Sequence, residues 1–219
     1  MHVGIIGGTG PLGRGLGLRL ASAGADVVIG SRHEARAAEV VNTMTDRWGG
    51  RPLAVTGAAN DGAAACEVVV VATPWDALVA TVRPLGASLE GKLVVSVANA
   101  LAKVGREMHA LVPPRGSMAA ALQAAVPGAL VVAAGHHLPA SELEDLDRAL
   151  HADVLVCSDH PVAKEAAIEL FTSIDGLRPL DAGSLASASA IEAFTAVLVT
   201  LNMRYKTHSS LRLTGLEHL

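Results

Sequence analysis

The segment Val3-Gly4-Ile5-Ile6-Gly7-Gly8-Thr9-Gly10-Pro11-Leu12-Gly13 decides the architecture. It fits G-x-G-x-x-G at Gly8, Gly10 and Gly13, and equally G-x-x-G-x-x-G at Gly7, Gly10 and Gly13. An apolar strand runs into it and a helix pattern leaves it. That context separates a dinucleotide-binding loop from a plain strand–helix turn. Glycine is needed there because the turn demands permissive dihedrals, the backbone must approach a pyrophosphate, and the helix must pack tightly on its strand. The helix N-terminus then offers free N–H donors and a positive dipole end to the phosphates.

Outward from this loop, short β-branched runs alternate with Ala/Leu-rich helical patterns. The strands expected are His2–Ile6, Asp26–Ile29, Leu53–Thr56, Glu67–Ala72, Lys92–Val97, Leu130–Ala133, Val154–Cys157 and Leu177–Leu180. Helices are expected over Pro11–Ala23, Glu34–Trp48, Pro74–Leu85, Met118–Ala125, Val162–Ser173 and Leu185–Tyr205. The alternation predicts an α/β fold: a Rossmann-type, doubly wound, mostly parallel sheet with a small C-terminal α/β part. The division is expected near residue 140, giving a nucleotide-binding domain over 1–140 and a small domain over 141–219. Ser31-Arg32-His33-Glu34 reads as a capping box, and Thr73-Pro74-Trp75-Asp76 as an N-cap Thr followed by Pro at the first helical position. Both follow apolar strands and so mark carboxyl ends of strands, the edge where open α/β sheets bind ligands.

Composition sets the remaining bounds. Apolar residues make up 51% of the chain but aromatics only 2%, so the core must be built from Ala, Val, Leu and Ile. A net charge of −4 leaves no basic stripe for nucleic acid. The longest apolar stretch, near Ala193–Met203, falls short of the roughly 18 residues of a membrane span. Met1 to Gly7 enters a strand directly, without a secretory signal, and a cytoplasmic protein is expected. Cys66 and Cys157 have no paired spacing and read as buried free thiols.

The end of the second strand selects the nucleotide. Sites for NAD place an acid about 20 residues beyond the loop to hold the ribose hydroxyls. Here the chain reads Gly30-Ser31-Arg32, with Arg36 one turn further. A hydroxyl and two guanidiniums suit a 2′-phosphate, which an acid would repel, so NADP is expected. Solvated arginines and a merely capping serine are the plainer alternative.

Several runs, in order, carry a resemblance: Gly7–Gly13 (GGTGPLG), Gly30-Ser31-Arg32, Thr73-Pro74-Trp75, Gly135–Ala140 (GHHLPA) and Asp175–Gly183 (DGLRPLDAG). Together they resemble the F420-dependent NADP oxidoreductases, with Val94–Leu101 and Arg204-Tyr205-Lys206 most similar to the bacterial branch. The resemblance implies an NADPH-dependent reductase that passes a hydride directly between NADP(H) and the deazaflavin coenzyme F420, with a dimer as its assembly. It further implies that Thr9, Gly10, Leu12 and Gly13 hold the pyrophosphate, and Ser31, Arg32 and Arg36 the 2′-phosphate. Thr73, Pro74 and Trp75 would border the adenosine and ribose, and Ser96, Val97 and Ala98 the nicotinamide. His136, Leu138 and Pro139 would face the deazaflavin.

The absence of a Ser–His–Asp order, an HExxH run or a close carboxylate pair fits that chemistry, since hydride exchange between two held rings needs mainly placement. Metal binding by His136 and His137 is not expected, because neighbours on a strand point to opposite faces. Gly135 stands where the family pattern leads one to expect a bulkier residue, and is expected to loosen the deazaflavin pocket or admit another acceptor. An NADPH-dependent reductase of a flavin, ferric iron or an imine, and a non-catalytic NADP sensor, remain as alternatives. In the last helix, residues 191, 194, 197, 198, 201 and 205 read as one apolar face, available to the sheet or to a second copy.

Overall fold

A computed structural model describes residues 1–216. The chain runs β1 (His2–Ile6), α1 (Pro11–Ser22), β2 (Asp26–Ser31), α2 (Glu34–Arg47), β3 (Val55–Ala59), α3 (Asn60–Ala64) and β4 (Val68–Val71). There follow α4 (Leu78–Val82), α5 (Gly86–Leu89), β5 (Leu93–Ser96), β6 (Leu101–Val104), β7 (Glu107–Ala110), α6 (Met118–Ala125) and β8 (Leu130–Ala133). The C-terminal part holds α7 (Ala140–Leu143), β9 (Ala152–Val156), α8 (Pro161–Thr172), β10 (Leu177–Asp181) and α9 (Ala188–Tyr205).

The main sheet is six-stranded in the order β3-β2-β1-β4-β5-β8, with every pairing parallel. The expected doubly wound fold is therefore present. Strand periodicity explains its two layers. Val69, Val94 and Val131 lie in register and enter one apolar cluster with Ile6 and Val71, while Val70, Val95 and Val132, also in register, enter the other with Val3 and Ile5. Alternate side chains thus face opposite sides, and helices cover both. Connections run one way from β1 to β2 and β3, and the other way to β4, β5 and β8. The crevice between β1 and β4 is the topological switch point.

After residue 140 the chain forms a parallel pair, β9 and β10, attached to β8 by an antiparallel bridge between Ala133 and Cys157. Val154, Val156, Leu170 and Phe171 share the cluster of Val3 and Ile5. Arg19, buried on α1, donates to the carbonyls of Glu142, Leu143, Asp145 and Arg148, tying the segment after α7 to the first helix. Cys66 and Cys157 are free and buried, as expected.

Three expectations need correction. Ser31 does not cap α2: it stays paired with Ala59, its Oγ accepts from the His33 N–H at 3.2 Å, and His33 takes the N-cap position without a side-chain bond. The expected helix over 74–85 is broken. The chain makes a turn over 75–77 and α4 starts only at Leu78 with Ala77 as its N-cap, so Thr73 caps no helix, and Pro84 limits the next turns to a 3-10 turn over Arg83–Leu85. The hairpin β6–β7 was not expected; its signal is alternation around the two-residue loop Gly105-Arg106, with Gly105 at φ +60°.

The apolar face of the last helix is only partly covered. Ile191, Thr195 and Leu198 are buried, whereas Phe194, Val197, Leu201 and Tyr205 are exposed. Leu185–Tyr205 is long and apolar enough to cross a membrane, at mean hydropathy 1.5. In the fold it packs on β7 and α6, and its buried Glu192 accepts from the N–H groups of Met118 (2.7 Å) and Ala119 (3.0 Å).

Candidate functional site

Two cavities open along the carboxyl edge of the sheet and meet at Pro11 and Leu12. The first, about 750 Å³, lies over the β1–β4 crevice and is lined by Gly7, Thr9 to Gly13, Ser31 to His33, Arg36, Asn60, Thr73 and Pro74, with Asp76, Ala77 and Thr81 at its far side. Gly7 turns the chain at φ +68°, where a Cβ would also sit 2.6 Å from Thr73 Cγ2. At Gly13 a Cβ would lie 2.6 Å from Gly8 Cα, so glycine allows α1 to start against the loop. Nothing lies within 4 Å of the Cβ position of Gly10, which leaves its outer face clear for a ligand. α1 has Gly10 as N-cap, no side-chain cap bond and no acid in its first turn. Its first amides therefore await an anion. Arg14 braces the loop from behind, donating to Thr9 O at 2.9 Å and pairing with Glu144 at 2.7 Å.

At the far end of this groove Arg32 is exposed and, among the described residues, forms no ion pair. Arg36 also lines the groove but holds Glu39 at 2.7 Å. Sequence reasoning missed Asn60, which opens α3 and whose Oδ1 accepts from Gly7 N–H at 3.0 Å, fixing the turn. A polar residue directly after β3 is the only signal that marks it.

The second cavity, about 430 Å³, is lined by Pro11, Leu12, Asn99, Leu101, His136 to Ser141 and, from α9 and beyond, Thr195, Leu198, Val199, Asn202, His208 and Ser209. The histidines occupy a turn, not a strand, so the opposite-face expectation fails: both are buried, with ring centroids 5.3 Å apart at 84°. Burial first, and then the neighbouring His137, lower the His136 pKa to about 3. His137 is likewise lowered, chiefly by burial, against the opposing pull of Asp153. Both are neutral rings at pH 7. His137 Nε2–H donates to Asp153 O at 2.9 Å, which leaves Nδ1 as a bare acceptor. Asn99, another residue the sequence reading missed, donates Nδ2–H to His136 O at 2.7 Å, so its Oδ1 is free to accept.

Buried polar atoms without a partner concentrate here. Thr73 Oγ1, Ser96 Oγ, Asn99 Oδ1, both His136 ring nitrogens and His137 Nδ1 make six of the seven such atoms among the described residues. Leaving a buried polar group unpaired costs about 1–3 kcal/mol, and a ligand at this edge is the plain source of partners. Four expected residues line neither cavity. Trp75 projects from the turn before α4, exposed, Ser96 is buried at the end of β5, and Val97 and Ala98 are packed into the two core clusters. Gly135 does not loosen the second cavity. It sits at φ +73°, and the space a side chain would need is filled by Phe171, with Cζ 2.9 Å from the Cβ position.

The DGLRPLDAG run lies away from the groove. Arg178 grips the fully buried Asp153 through two bonds of 2.8 and 2.9 Å and donates to Leu213 O at 2.9 Å and to Leu216 O. Asp153 also accepts from Leu213 N–H and Arg212. Its specificity as a motif is thus structural: it straps residues 211–216 over β9.

Comparison with known proteins agrees with this geometry. Residues 2–100 match the family model described as NADP oxidoreductase coenzyme F420-dependent. The chain is 36% identical to the F420-dependent NADP reductase of Methanocaldococcus jannaschii, over 99% of this chain and 100% of that protein. It is 34% identical to the F420-dependent NADP reductase of Methanothermobacter thermautotrophicus, over 99% and 96% respectively. A solved structure from Arthrobacter sp. FB24, itself provisionally described as an F420-dependent NADP-reductase, superposes with TM-score 0.81 at 26% identity, covering 97% of this chain and 98% of that one. With a glycine-cradled anion groove, an adjoining ring-sized cavity and full-length likeness to these enzymes, the chain belongs to the F420-dependent NADP oxidoreductase family.

Proposed function

We propose that this protein is an NADPH-dependent F420 reductase, passing a hydride between nicotinamide C4 of NADP(H) and C5 of the deazaflavin, with a solvent proton completing reduction of F420. The observation that carries the reading is the junction of the two cavities at Pro11–Leu12. A nucleotide whose pyrophosphate rests on Thr9–Gly13 directs its far ring toward that junction, where a second ring in the His136–Pro139 cavity would face it. Arg32, with Ser31 and Arg36 beside it, supplies the charge for a 2′-phosphate.

The chain's own residues bind, orient and exclude water. His136 and His137 are neutral rings at pH 7, so in this reading they shape the ring cavity and supply no imidazolium proton. Small-site chemistry of this kind works by holding two rings at roughly 3–3.5 Å. α9 and the segment after it complete the deazaflavin side through Thr195, Leu198, Asn202 and Ser209. The uncovered face of α9, with Phe194, Val197, Leu201 and Tyr205, supports a homodimer. Two free thiols and soluble substrates fit a cytoplasmic setting.

The test is an anaerobic mixture of protein, NADPH and oxidised F420. Loss of the deazaflavin visible band with stoichiometric NADPH oxidation is expected. Tight NADPH binding with no loss of that band would refute the acceptor assignment.

A further inference from the structure

Between α1 and α2 lies a smaller cavity, about 230 Å³, that shares Arg36 with the nucleotide groove. The helical repeat builds it. Arg14 and Leu18, four apart on α1, line it together with Arg36, Val40 and Met44, spaced by four along α2. Arg47 and Trp48 close it where α2 ends. Leu18, Val40, Met44 and Trp48 are buried and form an apolar floor, whereas the three arginines reach solvent.

Two observations point to a ligand. Of the seven buried polar atoms without a partner among the described residues, Trp48 Nε1 is the one that belongs to this cavity's lining and not to the nucleotide edge. A buried N–H without an acceptor is unfavourable, and an acceptor bound in the cavity removes the deficit. The second observation is charge. Arg14 has Glu144 and Arg36 has Glu39, each at 2.7 Å, but Arg47 forms no ion pair among the described residues and lies 5.1 Å from the Trp48 ring centroid. Glu144 is the one carboxylate in the lining, against three guanidiniums. An apolar floor, an unmet donor and surplus positive charge suit a small organic anion with an apolar body. The volume, below that of cavities for drug-sized ligands, admits one or two rings.

We propose that this cavity is an effector site for a small aromatic carboxylate, coupled to the nucleotide through Arg36. The carboxylate pairs with Arg47 and Arg36, the ring rests on the apolar floor, and an oxygen accepts from Trp48 Nε1–H. Arg36 cannot serve two anions equally, so an occupant withdraws charge from the 2′-phosphate end of the groove and weakens NADPH. Arg14 stays with Glu144 and Thr9 O, which leaves the pyrophosphate loop in place and spares NADH, a nucleotide without the 2′-phosphate. Linkage is reciprocal: the factor by which the occupant weakens NADPH is the factor by which NADPH weakens the occupant. The proposal needs the 2′-phosphate end of the groove and is independent of which acceptor takes the hydride.

The probe is 1-naphthoate, with the neutral 1-naphthylmethanol as control, titrated into ¹⁵N-labelled protein. The chain has two tryptophans, so two indole N–H signals are expected, and Trp48→Phe assigns them. 1-Naphthoate should move the Trp48 signal saturably with a Kd of about 1 mM or tighter, roughly fivefold or more below that of the alcohol. Arg47→Ala should weaken the probe about three- to tenfold and leave NADPH binding unchanged. At saturation the probe should raise the NADPH Kd by about three- to tenfold and the NADH Kd by less than about twofold, with NADPH raising the probe's Kd by the matching factor. A Trp48 signal that stays still, equal binding of acid and alcohol, or no effect on NADPH overturns the effector site. So does an equal effect on NADPH and NADH, or a loss of NADPH affinity that persists undiminished in Arg47→Ala, since either places the probe in the nucleotide groove. None of these outcomes bears on whether the protein reduces F420.

Discussion

Gly135→Ala tests whether the turn before the histidines is dictated by packing or is merely open space. Two penalties follow from the geometry. At φ +73° an alanine occupies the left-handed region, which costs roughly 1–2 kcal/mol. Its Cβ would also lie 2.9 Å from Cζ and 3.0 Å from Cε1 of Phe171, a fully buried ring. Overpacking of that kind costs about 1–3 kcal/mol. The sum, about 2–5 kcal/mol, is a large part of an ordinary domain's stability. Urea unfolding should register it as a midpoint lower by about 1 M or more at unchanged slope. Phe171→Leu in the same background should recover the steric share but not the dihedral share. A double-mutant cycle would therefore show about 1–2 kcal/mol of favourable coupling. The F420 KM should rise in Gly135→Ala while NADPH binding holds, since the turn borders only the second cavity. A loss under 1 kcal/mol, or no coupling with Phe171, refutes the reasoning and restores the idea of a loosened pocket.

Other outcomes follow from the same structure. Arg32→Ala should weaken NADPH binding about ten- to a hundredfold and NADH binding less than twofold, measured by titration; equal losses would remove Arg32 from the 2′-phosphate. Burial lifts Glu192 to about 6 from an ordinary 4.5, against the Met118 and Ala119 bonds, so the folded state keeps its proton to higher pH than the unfolded chain. Stability should fall by about 2 kcal/mol as pH rises from 4.5 to 6 and stay level above, and Glu192→Gln should remove that component from the profile. Burial alone would raise the Asp153 pKa, but the Arg178 and Leu213 hydrogen bonds and the charges of Arg178 and Arg212 outweigh it and lower the value. Asp153→Ala should cost about 3–5 kcal/mol by stranding Arg178, and should open residues 211–216 to limited proteolysis.

Much of this protein is legible in local sequence. Continuous valine-rich runs marked β4, β5 and β8, because a strand covered on both faces must be apolar throughout. The glycine loop, followed by proline at the first helical position, located the anion cradle, because those dihedrals and that packing admit little else. Ser31 and Arg32 could be placed at the groove from their position at the carboxyl end of β2. Tertiary contact decided the rest. The sequence shows neither that Phe171, 36 residues away, occupies the space beside Gly135, nor that Asn60 and Asn99 brace turns distant from them in the chain. Ser31 and Thr73 looked like caps because capping signals are local, whereas Ser31 stays in the strand paired with Ala59 and the helix after Thr73 begins only at Leu78, beyond a turn. The meeting of the two cavities at Pro11–Leu12 depends on which strand ends and helix faces are brought together. Residue pattern specifies each element by its own hydrogen bonding and burial; only the packed chain specifies what stands opposite it.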